Sequence, residues 1–211
     1  MDTSSEAPMN EFERQVGAPF AFTQDWGSLV VIGYNDNVIS EWDPFSGEAL
    51  HLLEHEETVF RFWLSPDEGY LASLTFLGRA VLWDLTSGAA LIEMTAEEET
   101  GEWLEFSDQG NQLALLLSDG RISLWDVPGA VRKFTWEGEA TRTFLFSPDG
   151  TLLLLATSDG DMQFIDTTSG EQMLELTVPG TFAEVYPYFV NDRVLVVETG
   201  EELQLWGIFS E

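Results

Sequence analysis

The chain has 211 residues, 44% of them hydrophobic and none of them cysteine, so it can fill a sizeable core in one domain and has no disulfide or thiolate chemistry. Lys and Arg number 8 against 38 Asp and Glu, a formal net charge of −30, and Lys133 is its one lysine. That balance leaves no basic footprint for nucleic acid, disfavours anionic membranes, keeps the chain dissolved and attracts cationic partners.

Met1 to Ala7 is polar and reads as a disordered N-terminal tail. The first nineteen residues show no basic start followed by an apolar run, so no signal peptide is expected. No apolar run approaches the ~20 residues that span a membrane. The expected compartment is therefore the cytoplasm. Strand patterns then follow one another in sets of four. The first set is Phe20–Phe22, Leu29–Tyr34, Val38–Trp42 and Ala49–Leu53. Trp26 falls in the turn between its first two strands. The second is Val59–Leu64, Tyr70–Thr75, Ala80–Trp83 and Ala90–Met94. Residues 95–102 form a charged loop. The third set is Trp103–Phe106, Gln112–Leu117, Arg121–Trp125 and Val131–Thr135, and the fourth Thr141–Phe146, Leu152–Thr157, Met162–Ile165 and Gln172–Leu176. A last set has three members, Phe182–Tyr188, Arg193–Val197 and Leu203–Trp206. The second strand of each set is nearly all apolar, as expected of a strand buried on both faces. The third strands alternate, which predicts that one residue in two faces a less buried side.

The sets are copies of one another. Trp42-Asp43, Trp83-Asp84 and Trp125-Asp126 recur, with Ile165-Asp166 and Trp206-Gly207 in the same slot, at spacings of 41, 42, 40 and 41 residues. Turns keep step with them, such as Ser107-Asp108-Gln109-Gly110 and Ser147-Pro148-Asp149-Gly150. Their Ser, Pro, Asp, Asn and Gly residues suit tight turns. On these motifs the chain resembles the WD-repeat (Trp-Asp repeat) β-propeller family over residues 8–211.

The resemblance implies an all-β fold, a β-propeller of five four-stranded antiparallel blades in a single domain. The blades lie near 20–53, 58–94, 103–135, 141–176 and 182–211. Pro8 to Glu13 stands at the offset of an outer, fourth strand and is expected to complete the last blade and close the ring, which protects sheet edges. A closed ring predicts a monomer; an incomplete one predicts a dimer. The family's hydrogen-bonded set of His, Ser or Thr, Asp and Trp is incomplete in every repeat. His55, Ser73 and Trp83 fill three slots of the second, with Leu77 at the Asp slot. Asp119 and Trp125 fill two slots of the third, where Glu97 and Leu115 replace His and Ser. Asp36 and Trp42 remain in the first and Asp159 in the fourth, where Glu137 and Ile165 stand in the His and Trp slots. Trp42, Asp43, Trp83, Asp84, Asp119, Trp125, Asp126, Asp159, Asp166 and Trp206 are accordingly expected to be structural.

His51-Leu52-Leu53-Glu54-His55 has the spelling of an inverted zinc-peptidase motif, but that chemistry needs a helix and this segment reads as a strand end and its loop. With only two His there is no material for a Ser-His-Asp triad. Ser158-Asp159-Gly160-Asp161 reads as a turn, since it lacks the remaining calcium ligands. No catalytic, cofactor or metal residue is expected. What remains is an acidic surface on the loops that enter each repeat: Glu54, Glu56 and Glu57; Glu97, Glu98, Glu99 and Glu102; Glu137 and Glu139. Trp136 is a nearby aromatic anchor candidate. Blade five departs most from the repeat, at Tyr186-Pro187-Tyr188. The expected function is a non-catalytic protein-interaction scaffold for a protein or peptide partner, plausibly basic. The alternatives are a small-ligand or metal-binding enzyme using a central channel, or a regulatory segment that works only within a larger complex.

Overall fold

The structure, a computed structural model, describes residues 10–11, 19–33, 37–96, 98–137, 141–157, 160–177, 186–198 and 202–207. Every regular element among them is a strand: β1 (Phe20–Phe22), β2 (Leu29–Ile32), β3 (Val38–Trp42), β4 (Ala49–Glu54), β5 (Val59–Leu64), β6 (Tyr70–Thr75), β7 (Ala80–Asp84), β8 (Ala89–Glu93), β9 (Gly101–Phe106), β10 (Gln112–Leu117), β11 (Ile122–Asp126), β12 (Val131–Trp136), β13 (Thr141–Phe146), β14 (Leu152–Thr157), β15 (Asp161–Asp166), β16 (Gln172–Thr177), β17 (Tyr186–Asn191), β18 (Val194–Glu198) and β19 (Leu203–Gly207). They form five antiparallel sheets of consecutive strands, β1–β4, β5–β8, β9–β12, β13–β16 and β17–β19. This is the arrangement of propeller-like repeats. One compact unit comprises residues 1–64 and 68–93 and carries the first two sheets; a second comprises 65–67 and 94–211 and carries the other three.

The second strands are buried almost throughout: β2, β6, β10 and β14 place Val30, Leu71, Leu113 and Leu153 among fully covered residues. The first unit packs Val30, Ile32, Ile39, Leu53, Phe62 and Trp83 into one core cluster. In the second unit Leu116, Leu124, Phe144 and Leu155 form another. A further cluster gathers around Leu154, Phe164 and Leu195. Two of the third strands, β3 and β11, do not alternate as expected. In them three and four consecutive residues are buried. Each is an inner strand of its sheet with both faces packed; β7 and β15 keep a partial alternation, and β19 alternates between exposed and half-buried residues.

A second difference concerns boundaries. β9 starts at Gly101, so the charged loop is two residues shorter than expected, because Gly101 pairs with Leu117 through a register shift. β17 runs past Tyr188 to Asn191, held by pairing with Val194. The expected closing strand at 8–13 lies outside the described residues except for Asn10 and Glu11, which belong to no strand. Among the described residues no strand pairs with the outer edge of β19.

The repeat Trp has a structural signature that spacing alone did not reveal. In four sheets the pairing of third and fourth strands shifts beside it, between Glu41 and Trp42, Leu82 and Trp83, Leu124 and Trp125, and Phe164 and Ile165. Each shift is a bulge that skips one residue of the outer strand: Leu50, Leu91, Lys133 or Met173. A bulge re-aims the side chains around it. It sets Ala49, Ala90, Arg132 and Gln172 directly across from the repeat position.

The turn after each Trp-Asp ends on a residue with left-handed backbone: Gly47 (φ 75°), Gly88 (φ 68°), Ala130 (φ 48°) and Gly170 (φ 75°). A side chain from earlier in the chain rests on three of them. Asn10 lies against Gly47, His51 against Gly88 and Phe134 against Gly170, so closely that an added Cβ would meet Asn10 at 2.9 Å and Phe134 at 3.1 Å and would clash with His51. Ala130 stands where the others are glycine, in a conformation that costs an L-residue about 1–2 kcal/mol. Glycine there relieves that strain but loses more chain entropy on folding. Ala130→Gly is therefore expected to stabilise the protein by about 0.5–1 kcal/mol, read as a rise in the urea midpoint at unchanged slope. A destabilised variant would show that the alanine methyl makes a contact worth more than the strain.

Candidate functional site

The three family residues of the second repeat do come together. Trp83, on β7, donates its indole N–H to Ser73 Oγ on β6 at 2.9 Å, and Ser73 Oγ lies 2.7 Å from His55 Nε2. The other ring nitrogen, His55 Nδ1, lies 3.0 Å from the Leu53 carbonyl, which only accepts. Nδ1 therefore carries the proton, and Nε2 accepts the Ser73 hydroxyl. Burial lowers the imidazole's pKa below its ordinary value, against the opposing pull of the Leu53 and Asn37 backbone bonds. His55 is thus a neutral, structural histidine. The Asp slot is vacant as expected, since Leu77 is exposed.

The third repeat solves the same problem with other residues. Trp125 donates to Ser123, two residues back on its own strand, at 3.1 Å. Arg132 lies with its guanidinium 4.9 Å from the Trp125 ring centroid and donates to the Met94 carbonyl at 3.0 Å. His55 does the equivalent above Trp83, with ring centroids 5.0 Å apart and a bond to the Leu53 carbonyl. Arginine has replaced histidine as the cover of the repeat tryptophan, and it comes from the outer strand rather than from the entry loop. Asp119, assigned by sequence to this set, instead accepts from Arg121 Nε at 2.7 Å.

The repeat aspartates organise turns. Asp43 accepts from Phe45 N and Ser46, Asp84 from Thr86 N and Ser87, Asp126 from Gly129 N, and Asp166 from Thr168 N and Ser169. These bonds hold the Asp43, Asp84 and Asp166 carboxyls below the usual carboxylate range. Trp42 ends β3 and is partly buried, as is Trp206 on β19, which packs beside Leu195 and Phe164. Asp159 lies outside the described residues.

The acidic loop residues divide into two kinds. Glu54, Glu56, Glu98, Glu102 and Glu137 are exposed. Glu57 and Glu99 are largely covered and tied down. Glu57 accepts the Thr75 hydroxyl at 2.8 Å and faces Arg79 at 3.6 Å. Glu99, whose side chain is 11% exposed, accepts from Arg132 at 2.9 Å and faces Arg121 at 3.6 Å. Its burial works to raise its pKa, but the bonds from Arg132 and the Ala96 amide prevail and lower it. Trp136 is mostly buried against the third-repeat core rather than held out as an anchor. Glu97 and Glu139 lie outside the described residues. Sequence reasoning assigned no role to Glu105 on β9, whose carboxyl is pushed up to about 7 by burial and by nearby Asp108.

Within the first unit, the β4–β5 loop and the outer strands of the second sheet enclose a groove of about 390 Å³. Its floor is Val81, Trp83, Ala90 and Ile92, and its rim is Glu54, Glu56, Glu57 and Glu93, with Arg79 among them. Arg79 faces Glu56, Glu57 and Glu93 at 3.5, 3.6 and 3.5 Å. Sequence reading found the first three glutamates and missed Arg79 and Glu93; laying the repeats over one another at the Trp position was the signal that could have found them. His51, the other half of the H-x-x-E-H spelling, sits on β4 with Nδ1 2.9 Å from Glu41 Oε2. Among the described residues no three His, Cys, Asp or Glu side chains gather as a metal-binding group. No helix among them is long and apolar enough to cross a membrane, which leaves β-barrels unaddressed.

No model of a known protein family matches the chain. Over 114 residues, 53% of its length, it is 30% identical to Periodic tryptophan protein 2 of Arabidopsis thaliana, of which that stretch covers 13%. The crystal structure of the computationally designed Ika8 protein matches 90% of this chain and 57% of its own, with a TM-score of 0.68 and 20% identity. At that identity the likeness speaks for the fold. The sheet architecture and the similarity to a periodic tryptophan protein together support the WD-repeat resemblance. The chain spans a small part of that relative and just over half of the designed protein.

Proposed function

We propose that this chain is a non-catalytic scaffold of the WD-repeat kind that binds a basic protein or peptide through its acidic entry loops. The observation that carries this reading is the groove of the first unit, an apolar floor inside a rim of four carboxylates and one guanidinium. Apolar contact supplies affinity, and the charged rim supplies partner choice and encounter rate. The exposed Glu54, Glu56, Glu98 and Glu137 are the solvent-facing charges of these loops. Glu57 and Glu99 shape the loops from within. The similarity to a periodic tryptophan protein agrees with a repeat scaffold.

Affinity capture from a lysate of the native organism tests it, at about 0.1 M and about 0.5 M salt, since the higher salt screens exposed charge contacts. The expected result is a stoichiometric basic partner retained at low salt and lost at high salt. Glu54→Lys with Glu56→Lys is expected to abolish the low-salt capture. Capture that is indifferent to both salt and charge reversal would overturn the acidic-face reading.

A further inference from the structure

The second and third repeats carry the same four-residue frame, offset by 42 positions: Glu57, Arg79, Trp83 and Ala90 correspond to Glu99, Arg121, Trp125 and Arg132. The register confirms the equivalence, because Trp83 pairs with Ala90 and Trp125 with Arg132 beside the same bulge. The loop acid faces the arginine that immediately precedes the third strand at 3.6 Å in both. One member differs. In the third repeat Arg132 crosses from the outer strand, passes the indole and bonds Glu99 at 2.9 Å, so Glu99 receives two guanidinium groups. In the second repeat the outer-strand residue is an exposed alanine and Glu57 faces one guanidinium. Ala90 lines the groove of about 390 Å³, with Val81, Trp83 and Ile92 around it and Glu56, Glu57 and Glu93 at its mouth.

We infer that this groove is the docking cleft for an arginine side chain of the partner, which takes in the second repeat the path that Arg132 takes in the third. The inference rests on the scaffold reading above and gives it a site and a side chain. Its stem lies along Val81, Trp83 and Ala90, and its guanidinium bonds Glu57 and the exposed Glu56 and Glu93. His55 already covers the Trp83 face, so the guanidinium is recognised by the carboxylates and its stem by the apolar floor. Arg79 does not close the cleft. Its three carboxylate contacts are all 3.5 Å or longer, whereas Arg132 and Arg121 each make a bond of 2.9 Å or less. A second guanidinium fits beside Arg79 as Arg132 fits beside Arg121. Arginine is favoured over lysine because its planar fork serves two carboxylates at once.

The chain itself supplies the test, since Ala90→Arg should fill the cleft from within. The probe is the blocked pentapeptide Gly-Leu-Arg-Leu-Gly, compared with its citrulline counterpart, which keeps the shape and loses the charge. Binding is followed by the NMR signal of the Trp83 indole N–H. The expected result is a saturable shift with the arginine peptide, about tenfold weaker with citrulline, and absent in Ala90→Arg. That variant should melt no lower than the parent, because the third repeat already holds an arginine in this place. Should Ala90→Arg fail to fold, Glu93→Lys on the exposed edge is expected to weaken the arginine peptide and leave citrulline unchanged. Equal binding of the two peptides, or undiminished binding by a folded Ala90→Arg, overturns the inference. If that folded variant still captures the lysate partner at full strength, the cleft falls and the scaffold reading stands. Capture of nothing at low salt removes the scaffold reading, while the peptide titration still reports on the cleft.

Discussion

Trp125→Ala is expected to lower stability by about 3–5 kcal/mol, the range for a large aromatic removed from a core. Three losses coincide there. The indole is buried, its N–H bonds Ser123, and its face carries Arg132. Without the ring, Ser123 stays buried with its indole donor gone, and the guanidinium loses its support between Glu99 and the Met94 carbonyl. Urea unfolding followed by far-UV circular dichroism measures it. Trp26→Ala serves as the comparison, since Trp26 is exposed in a turn and a surface change of this kind is expected to stay within about 0.5 kcal/mol. If the two substitutions cost the same, the repeat tryptophan is not the pillar of its sheet.

Ser73→Ala comes next, at about 2–4 kcal/mol, although it removes a single oxygen. That oxygen serves Trp83 and His55 together, and leaving a buried polar group unpaired costs about 1–3 kcal/mol. A loss below about 1 kcal/mol in urea unfolding would mean that water replaces the hydroxyl. The same network sets a pH dependence. His55 has a depressed pKa in the folded state, so its neutral form is what the fold accepts. Its contribution is fully present above the unfolded value of 6.5 and declines as pH falls below it, when the unfolded chain takes up the proton first. Glu105 works in the opposite sense. Its folded pKa is raised from 4.5 to about 7, so its contribution is present at acid pH and is lost as pH rises through that interval. Just below pH 6.5 the two slopes oppose each other.

The strands were legible because each repeat writes its own punctuation. Apolar runs of five or six residues between Ser, Asp and Gly turns can only be strands when they recur at a fixed period, and β1, β3, β5, β6, β10, β13 and β14 begin and end where the pattern places them. The alternation of the third strands misled because Ser40 and Ser123 look like surface residues, yet both are buried; Ser123 serves a tryptophan two residues away. The candidate site was half visible. Glutamates stand out in a chain with one lysine, but whether a glutamate is free or tied down depends on which arginine reaches it. Arg132 reaches Glu99 across 33 residues, and nothing in the local sequence announces it. The groove is legible only by difference, as the alanine in a position where the next repeat has an arginine.

Asn10 on Gly47, His51 on Gly88 and Phe134 on Gly170 also set an order of assembly. In each case the side chain comes earlier in the chain than its seat, and His51 and Phe134 come from the outer strand of the repeat before. A chain emerging from its N-terminus therefore finishes each outer strand before the turn that must fold against it exists. Such contacts couple nearest neighbours, as in other repeat proteins, and synthesis presents the side chain before its seat.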